Sequence, residues 1–548
     1  MRVALGMLLG VLVCLPAGAQ TWTSRLLTTD HGAYIPAQVN FSGRAWKLDD
    51  YSYAGYFLGA SSPGTMPCNA INVTATGDIT AALQAAVDAA GQAGGGTVIL
   101  PVGAFIVSSP IAIPYSNVSI EGAGSDRTLL EIPAGYASTG DPYDGVFTFG
   151  KQAGASNTGW VDQGPVIATV SKIVQEGDQQ IDTVDASHVN PGDWIVVQQY
   201  FWAGLVNANS ADPDRWPADS SNSAYSFSYL RQVTARSGNR IIVDAPIPWT
   251  LDPANNPVRI RLTDGQMKSN DGVKGLAIHF ANNQLAATGR PHGTGVYFEG
   301  VRNGWVIDVL VRNVARAGIH VRSSARIGIL DSTVLGAQDY GDGYGGGFFA
   351  DASQNVLIKR CRGEDTRRNF SSAHALTSML VLTQNVSANA TEPDGTESTL
   401  EQAILWDKHT QQNGGALAML NRGGVSGGAY ETLGSGVVWN FSGDGVQGRL
   451  AEGGALYLKP SPSGQLIVVG VNGSVKVYDG SQGNIPPLAA GEQIQGSAAL
   501  QVGSGPLKNV LYEGLYRTGL EPASLYEAQL AHRVGVPPPE WFEACGET

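Results

Sequence analysis

One short pattern returns through the second half of this chain and constrains its fold more than any other feature. Segments starting at Asn303 (NGWVIDVLVRN), Ala325 (ARIGILDSTVLG), Gln354 (QNVLIKRCRG), Ser378 (SMLVLTQNVS), Gln402 (QAILWDKHT) and Ser435 (SGVVWNFSG) can be laid over one another. Asp308, Asp331, Arg360, Gln384, Asp407 and Asn440 then share one register, at spacings of 23, 29, 24, 23 and 33. A second column precedes the first in GVYFEG (from Gly295), GIHVRS (from Gly318) and GGFFAD (from Gly346). Repetition at about 20 to 50 residues signals a solenoid, propeller or array. Each repeat holds short apolar-alternating strands broken by Gly, Asn and Asp, with no room for a helix of about 10 residues. That excludes leucine-rich and ankyrin-type repeats and predicts an all-β parallel β-helix. The uneven spacing predicts loops, because a coil that keeps its rung must extrude its extra residues.

Composition matters at three points. With 548 residues, 43% of them hydrophobic and 71 of them glycine, the chain suits one long turn-dense β core better than several helical domains. A net charge of −13 without any basic run argues against nucleic acid as a partner. Four cysteines include Cys14 in the leader described below, leaving Cys68, Cys361 and Cys545, whose spacing matches no metal motif. Cys361 falls at an interior stack position.

Residues 1–19 read as a secretory signal peptide. Arg2 is followed by an apolar stretch from Ala4 to Leu15 and an A-x-A site at Ala17–Ala19. The stretch is too short to span a bilayer, so the expected product is secreted, extracellular or periplasmic, with no membrane partner. Residues 20–76 form an irregular, aromatic segment expected to wrap the rod. Residues 77–149 carry the cap and first coils. A helix from Ala81 to about Ala90, with Leu83, Ala86, Val87 and Ala90 on its apolar face, is predicted to cover the open end. Strands are predicted at Thr97–Leu100, Phe105–Ser108, Val118–Glu121 and Leu129–Ile132.

The run AALQAAVDAAGQAGGGTVILPVGAFIVSSPI, from Ala81, resembles the amino-terminal cap and first coils of the pectate-lyase-like superfamily of right-handed parallel β-helix proteins. The resemblance extends over Cys68 to about Val471. It implies a right-handed coil and processing of glycans, since polysaccharide lyases and glycoside hydrolases dominate the superfamily, which also contains phage tailspikes. It carries over no catalytic residue. The NTD, DD, GHG and RIK patterns of polygalacturonases are missing from the coils, the only DD being Asp49-Asp50, and so are the RxPxxR and WIDH patterns of pectate lyases.

Between residues 150 and 263 the period breaks, and hairpin signals at Pro191-Gly192 and Gly238-Asn239 predict an inserted antiparallel β lobe. Its loop, Phe201 to Tyr229, carries Trp202 and Trp216, whose rings suit sugar faces or packing against the rod. The main coils run over residues 264–480, and the C-terminal tail, 481–548, carries a capping helix from Pro522 with Leu525, Ala528, Gln529 and His532 on one side.

Three loops (336–346, 363–374 and 387–402) appear in register to leave the coil after the same strand, and rungs lie about 4.8 Å apart. They therefore predict one patch. Its candidate catalytic residues are Asp339, Asp342, Tyr344, Arg367 and Arg368. The candidate substrate-binding residues are Tyr340, Asp365, His374, Glu397, Glu401 and Arg422, with Trp202 and Trp216 from the lobe. Paired carboxylates about 5 to 10 Å apart serve glycoside hydrolysis. A cation with a Tyr, His or Arg base serves β-elimination on a uronate. No cofactor is expected, although acidic loops are also compatible with Ca²⁺. The expected function is cleavage of a polysaccharide by a lyase or glycoside hydrolase in a groove on the side of the β-helix; the alternative is a glycan-binding or adhesion module without catalysis.

Overall fold

The computed structural model describes residues 21–30, 32–60, 69–136, 143–156, 160, 164–209, 225–263, 267–282, 293–341, 343–396, 400–420, 434–444, 455–459, 464–477, 501–502, 509–515 and 517–535. Their strands stack into a parallel β-helix, with a 20-stranded sheet (the long sheet) and a 10-stranded sheet (the second sheet) enclosing the core. One turn shows the rule. Ala317–Arg322 belongs to the second sheet; Ala325–Leu330 and Thr333–Ala337 belong to the long sheet; and Gly346–Asp351 lies on the second sheet one rung on. The coil is right-handed, the sense taken by nearly all connections between parallel strands.

The polar column seen in the sequence is the corner at which the long sheet bends. Asp308, Asp331, Arg360, Gln384 and Asn440 all have φ between +48° and +57°. Their side chains tie rungs together or hold neighbouring segments: Arg360 Nε donates to Asp331 at 2.7 Å, and Gln384 Nε2 donates to Glu527 at 3.0 Å. Asp407 is not a member. It pairs with Thr383 and Trp439, one residue before the bend, and Lys408 (φ +51°) takes the corner. An alternation-based alignment slips easily by one residue where both positions are polar.

Apolar residues facing inward form one continuous core, including the face-to-face stacks Phe149–Phe298 (4.8 Å) and Phe348–Phe370 (4.9 Å). Cys361 lies within that core as a free, buried thiol. At the N-terminal end, helix α1 (Thr80–Gln92) buries Leu83, Ala86, Val87 and Ala90 against the first strands, as its periodicity predicted. Just before the helix, Asp78 accepts from the Thr80 amide at 3.0 Å, while Ile79 takes the N-cap position.

Two further units lie against the rod. Residues 22–59 cross the outer face of the long sheet, where Trp46, Tyr51 and Tyr56 cover Trp305, Leu357 and Val381. Gly55 (φ +98°) brings that backbone onto the sheet: its amide donates to Asn355 O at 2.8 Å, and a Cβ there would stand 3.1 Å from Leu357. Helix α3 (Leu525–Val534) completes this cluster with Leu525, Tyr526 and Leu530, so its buried side is rotated from the predicted one and leaves His532 exposed. The inserted lobe is a six-stranded antiparallel sheet between Val166 and Leu262 with helix α2 (Ala203–Asn209) and its own core.

Candidate functional site

Alternation along the second sheet turns Val296, Phe298, Ile319, Val321, Phe348 and Ala350 into the rod. The intervening residues, Tyr297, Glu299, His320, Arg322, Phe349 and Asp351, stand on its outer face. Register stacks Tyr297, His320 and Phe349 in one row and Glu299, Arg322 and Asp351 in the next. The His320 ring lies 5.1 Å from Tyr297 and 4.6 Å from Phe349.

A solvated face would leave such groups wet, yet Tyr297, Glu299, His320 and Asp351 are buried. Residues 143–156 account for much of that cover. Lys151 lies between Asp144 (2.9 Å) and Glu299 (3.0 Å), with its ammonium 5.2 Å from the Tyr297 ring centre. Tyr143 stacks over Tyr297 at 6.3 Å and carries the guanidinium groups of Arg316 and Arg322 at 4.0 and 5.0 Å.

Asp351 is the hub of this face. His374 Nε2 is 3.2 Å from one carboxylate oxygen; Arg322 Nε (3.6 Å) and His320 Nε2 (3.8 Å) approach the other. At 3.8 Å the His320 contact is electrostatic and not a hydrogen bond. Burial alone would raise the Asp351 carboxyl, but the His320, His374 and Arg322 partners outweigh it and hold the group below the usual carboxylate range. Burial lowers the His320 imidazole, Asp351 compensating in part. Burial also works against the Arg322 charge, but Asp351, Tyr297 and Glu299 more than restore it. His374 keeps 47% of its side chain exposed and Arg322 36%, so an imidazole and a guanidinium, both fixed on one ionised carboxylate, reach solvent together.

This face has two borders. On one side the lobe packs Trp160, Val196 and Leu230 against Ala325, Ala352 and Leu376 of the rod. On the other, residues 338–341, 343–345, 365–367 and 389–393 pile up where successive coils enter the second sheet. Their contacts bind them together: Tyr340 Oη donates to Asp365 O at 3.2 Å, the Arg367 amide to Gly345 O at 2.8 Å, and the Glu392 amide to Arg367 O at 2.8 Å.

The sequence-predicted residues divide between these places. Asp339 closes its own turn, accepting from the Gly341 amide at 2.8 Å, and Asp365 accepts from Asn389. Tyr344 lies 5.0 Å from the Arg316 guanidinium, at the edge of the second-sheet face. Arg367 and Arg368 both clamp Glu392, at 2.8 and 2.9 Å. Burial tends to raise the Glu392 carboxyl, but the two arginines hold it below its ordinary range.

His374 and Glu401 do not belong with that group. The segments 363–374 and 387–402 are not single loops: each contains a second-sheet strand, Arg368–Ala373 or Asp394–Thr396, which carries the chain to the opposite corner. Glu401 is buried there, accepting from Ser372 Oγ. Trp202 sits half-buried on the lobe core, 6.4 Å from Phe227. Asp342, Glu397, Arg422 and Trp216 lie outside the described residues, as do Cys68 and Cys545. Among the described residues, no group of three or more His, Cys, Asp or Glu side chains is arranged to hold a metal ion.

The outer row, Tyr297, Glu299, His320, Arg322 and Asp351, is not among the residues that the sequence pointed to. The signal was present: polar residues alternate with apolar ones in GVYFEG, GIHVRS and GGFFAD. Nothing in the sequence showed that residues 143–156 would seal this face while leaving the water-facing alternate elsewhere exposed.

No family model matches this sequence, and no curated protein does. Among solved structures, the chain is similar to the tailspike protein gp49 from Pseudomonas phage LKA1, at 14% identity over 72% of this chain and a TM-score of 0.42. It spans 64% of that tailspike's length. It is also similar to polygalacturonase from Erwinia carotovora ssp. carotovora (11% identity, 77% of this chain and 96% of that one, TM-score 0.37). A third is endo-xylogalacturonan hydrolase from Aspergillus tubingensis (12% identity, 75% and 86%, TM-score 0.34). The protein's own sheet topology makes it a parallel β-helix.

Proposed function

We propose that this protein is an exported glycan-cleaving enzyme that lays a uronate-bearing polysaccharide along the outer face of the second sheet. The observation that carries the reading is Asp351, a buried carboxylate held below its ordinary range, with His374 and Arg322 beside it and both reaching solvent. Elimination on a uronate needs a cation on the sugar carboxylate and a base for the C5 proton. Arg322, with Arg316 nearby, supplies the cations. His374, beside the Asp351 carboxylate and open to solvent, supplies an imidazole nitrogen as the base. The C5 proton passes to that nitrogen, the electron pair becomes the C4–C5 double bond, and the C4–O4 bond breaks, the leaving oxygen taking a proton from solvent. Phe349 and Tyr344 offer half-buried rings to the faces of the sugars.

Export rests on the leader; among the described residues, no helix is long and apolar enough to cross a membrane.

The test is a panel of uronate and neutral polysaccharides assayed for new reducing ends and near-ultraviolet absorbance. Elimination yields both signals, and both vanish in His374→Ala. Hydrolysis yields reducing ends alone. Retention of a polysaccharide with neither signal identifies a binding module and refutes the enzyme reading.

A further inference from the structure

Away from the second-sheet face, on the other side of the inserted lobe, two adjoining cavities of about 200 and 300 Å³ open between the N-terminal segment, the lobe and the long sheet. Lys47, Asp49 and Glu176 line both. The smaller adds Arg44, Trp249, Thr250 and Gln465; the larger adds Asp50, Tyr53 and Gln179. We propose that this groove is a second saccharide site, which takes a neutral pyranose residue against Trp249 with Asp49 and Glu176 on its hydroxyls.

Three features carry the assignment. The two cavities together fall within the range of about 300–1,000 Å³ found for small-molecule sites. Their walls are held from behind. Trp249 stacks on Phe227 at 5.1 Å, the Glu176 amide donates to Thr250 Oγ1 at 3.2 Å, and Gln529 Nε2 of helix α3 donates to Asp49 O at 2.8 Å. Tyr53 Oη donates to Gln179 at 3.4 Å and joins the N-terminal segment to the lobe. Such support preorganises a site.

The chemistry also suits a polyol better than an anion. Burial raises both the Asp49 and the Glu176 carboxyls, and each is the other's neighbour. With one of the two carboxyls protonated and the other ionised, the pair offers a donor and an acceptor to vicinal sugar hydroxyls. Lys47 supplies further donors, while Arg44 is engaged with Asn509 at 2.9 Å. The indole face suits the C–H patch of a pyranose.

The lobe thus forms one wall of each site, and a polymer that reached both would be held by two attachments, raising its effective concentration at either one. The inference does not rest on cleavage at the second-sheet face. The experiment is isothermal titration of the full chain with xylotriose, cellotriose, mannotriose and 1,4-galactotriose. The assignment expects at least one to bind, its affinity to fall at least tenfold in Trp249→Ala and in Glu176→Gln, and to persist in Asp351→Asn. Glu176→Gln is nearly isosteric, so it decides the matter if Trp249→Ala fails to fold. Absence of binding by all four sugars, unchanged affinity in folded groove variants, or loss in Asp351→Asn would each overturn it.

Discussion

Replacing Asp407 by asparagine tests how the C-terminal helix is fastened to the rod. Asp407 is fully buried and accepts from Thr383 Oγ1 at 2.8 Å, from the Leu525 amide at 3.0 Å and from Ser524 Oγ. It therefore sits at the N-terminus of helix α3, joined to two elements far away in the sequence. Burial pushes its carboxyl up to about 6, ahead of the hydrogen bonds that lower it. The docked value lies above the ordinary one of 3.8, so the protonated form favours docking. That contribution is fully present below about pH 4 and is lost as pH rises through 6. At about 1.4 kcal/mol per unit, the difference is about 3 kcal/mol, or on the order of a hundredfold in the opening equilibrium of α3. Hydrogen exchange of residues 525–534, corrected for the intrinsic pH dependence, measures it. Between pH 5 and pH 7.5 only part of that range is crossed, so the wild type is expected to be about tenfold more protected at pH 5 than at pH 7.5, and Asp407→Asn to lose most of that difference. Protection that is flat or rises with pH in the wild type would refute the reasoning.

Lys151→Met strands two buried carboxylates, Asp144 and Glu299, and is expected to cost about 3–5 kcal/mol in urea unfolding; a loss under about 1 kcal/mol would contradict the buried triad. Phe348→Ala removes half of an interior stack and should cost about 3–5 kcal/mol by the same measurement. Because the Asp351 carboxyl is held below its ordinary range, its stabilising contribution is present above pH 4 and disappears as the pH falls through its folded value. Acid unfolding of Asp351→Asn should accordingly show a weaker pH dependence than that of the wild type.

Much of the fold was legible because a solenoid repeats its rule. Leu83, Ala86, Val87 and Ala90 announced the capping face of α1, and the returning corner residues announced the coils. The errors came where the rule is degenerate. Asp407 was put at a corner that belongs to Lys408, since a one-residue slip exchanges two polar positions. The segment from Gly363 to His374 was read as one loop, although Arg368–Ala373 is a strand; its Arg, Asn and Ser lack the apolar alternation of its neighbours, Arg368 being satisfied by Glu392, the Asn369 side chain by Ser387 and Ala388 O, and Ser372 by Glu401. The candidate site was legible only in part. His374 was named, and its partner Asp351 was not, because a lone acidic residue at the end of a strand reads as a turn former until residues 143–156 are seen to bury the row beside it.

The most direct test of the central claim compares the wild type with Asp351→Asn on the polysaccharide panel, following reducing ends and near-ultraviolet absorbance. A uronate polymer should be cleaved by the wild type with an unsaturated product, and cleavage should fall by at least a hundredfold in the folded variant, whereas Asp339→Ala at the neighbouring corner should remain close to wild type. Equal turnover by Asp351→Asn, or loss in Asp339→Ala alone, would move the chemistry off the second-sheet face and contradict the account.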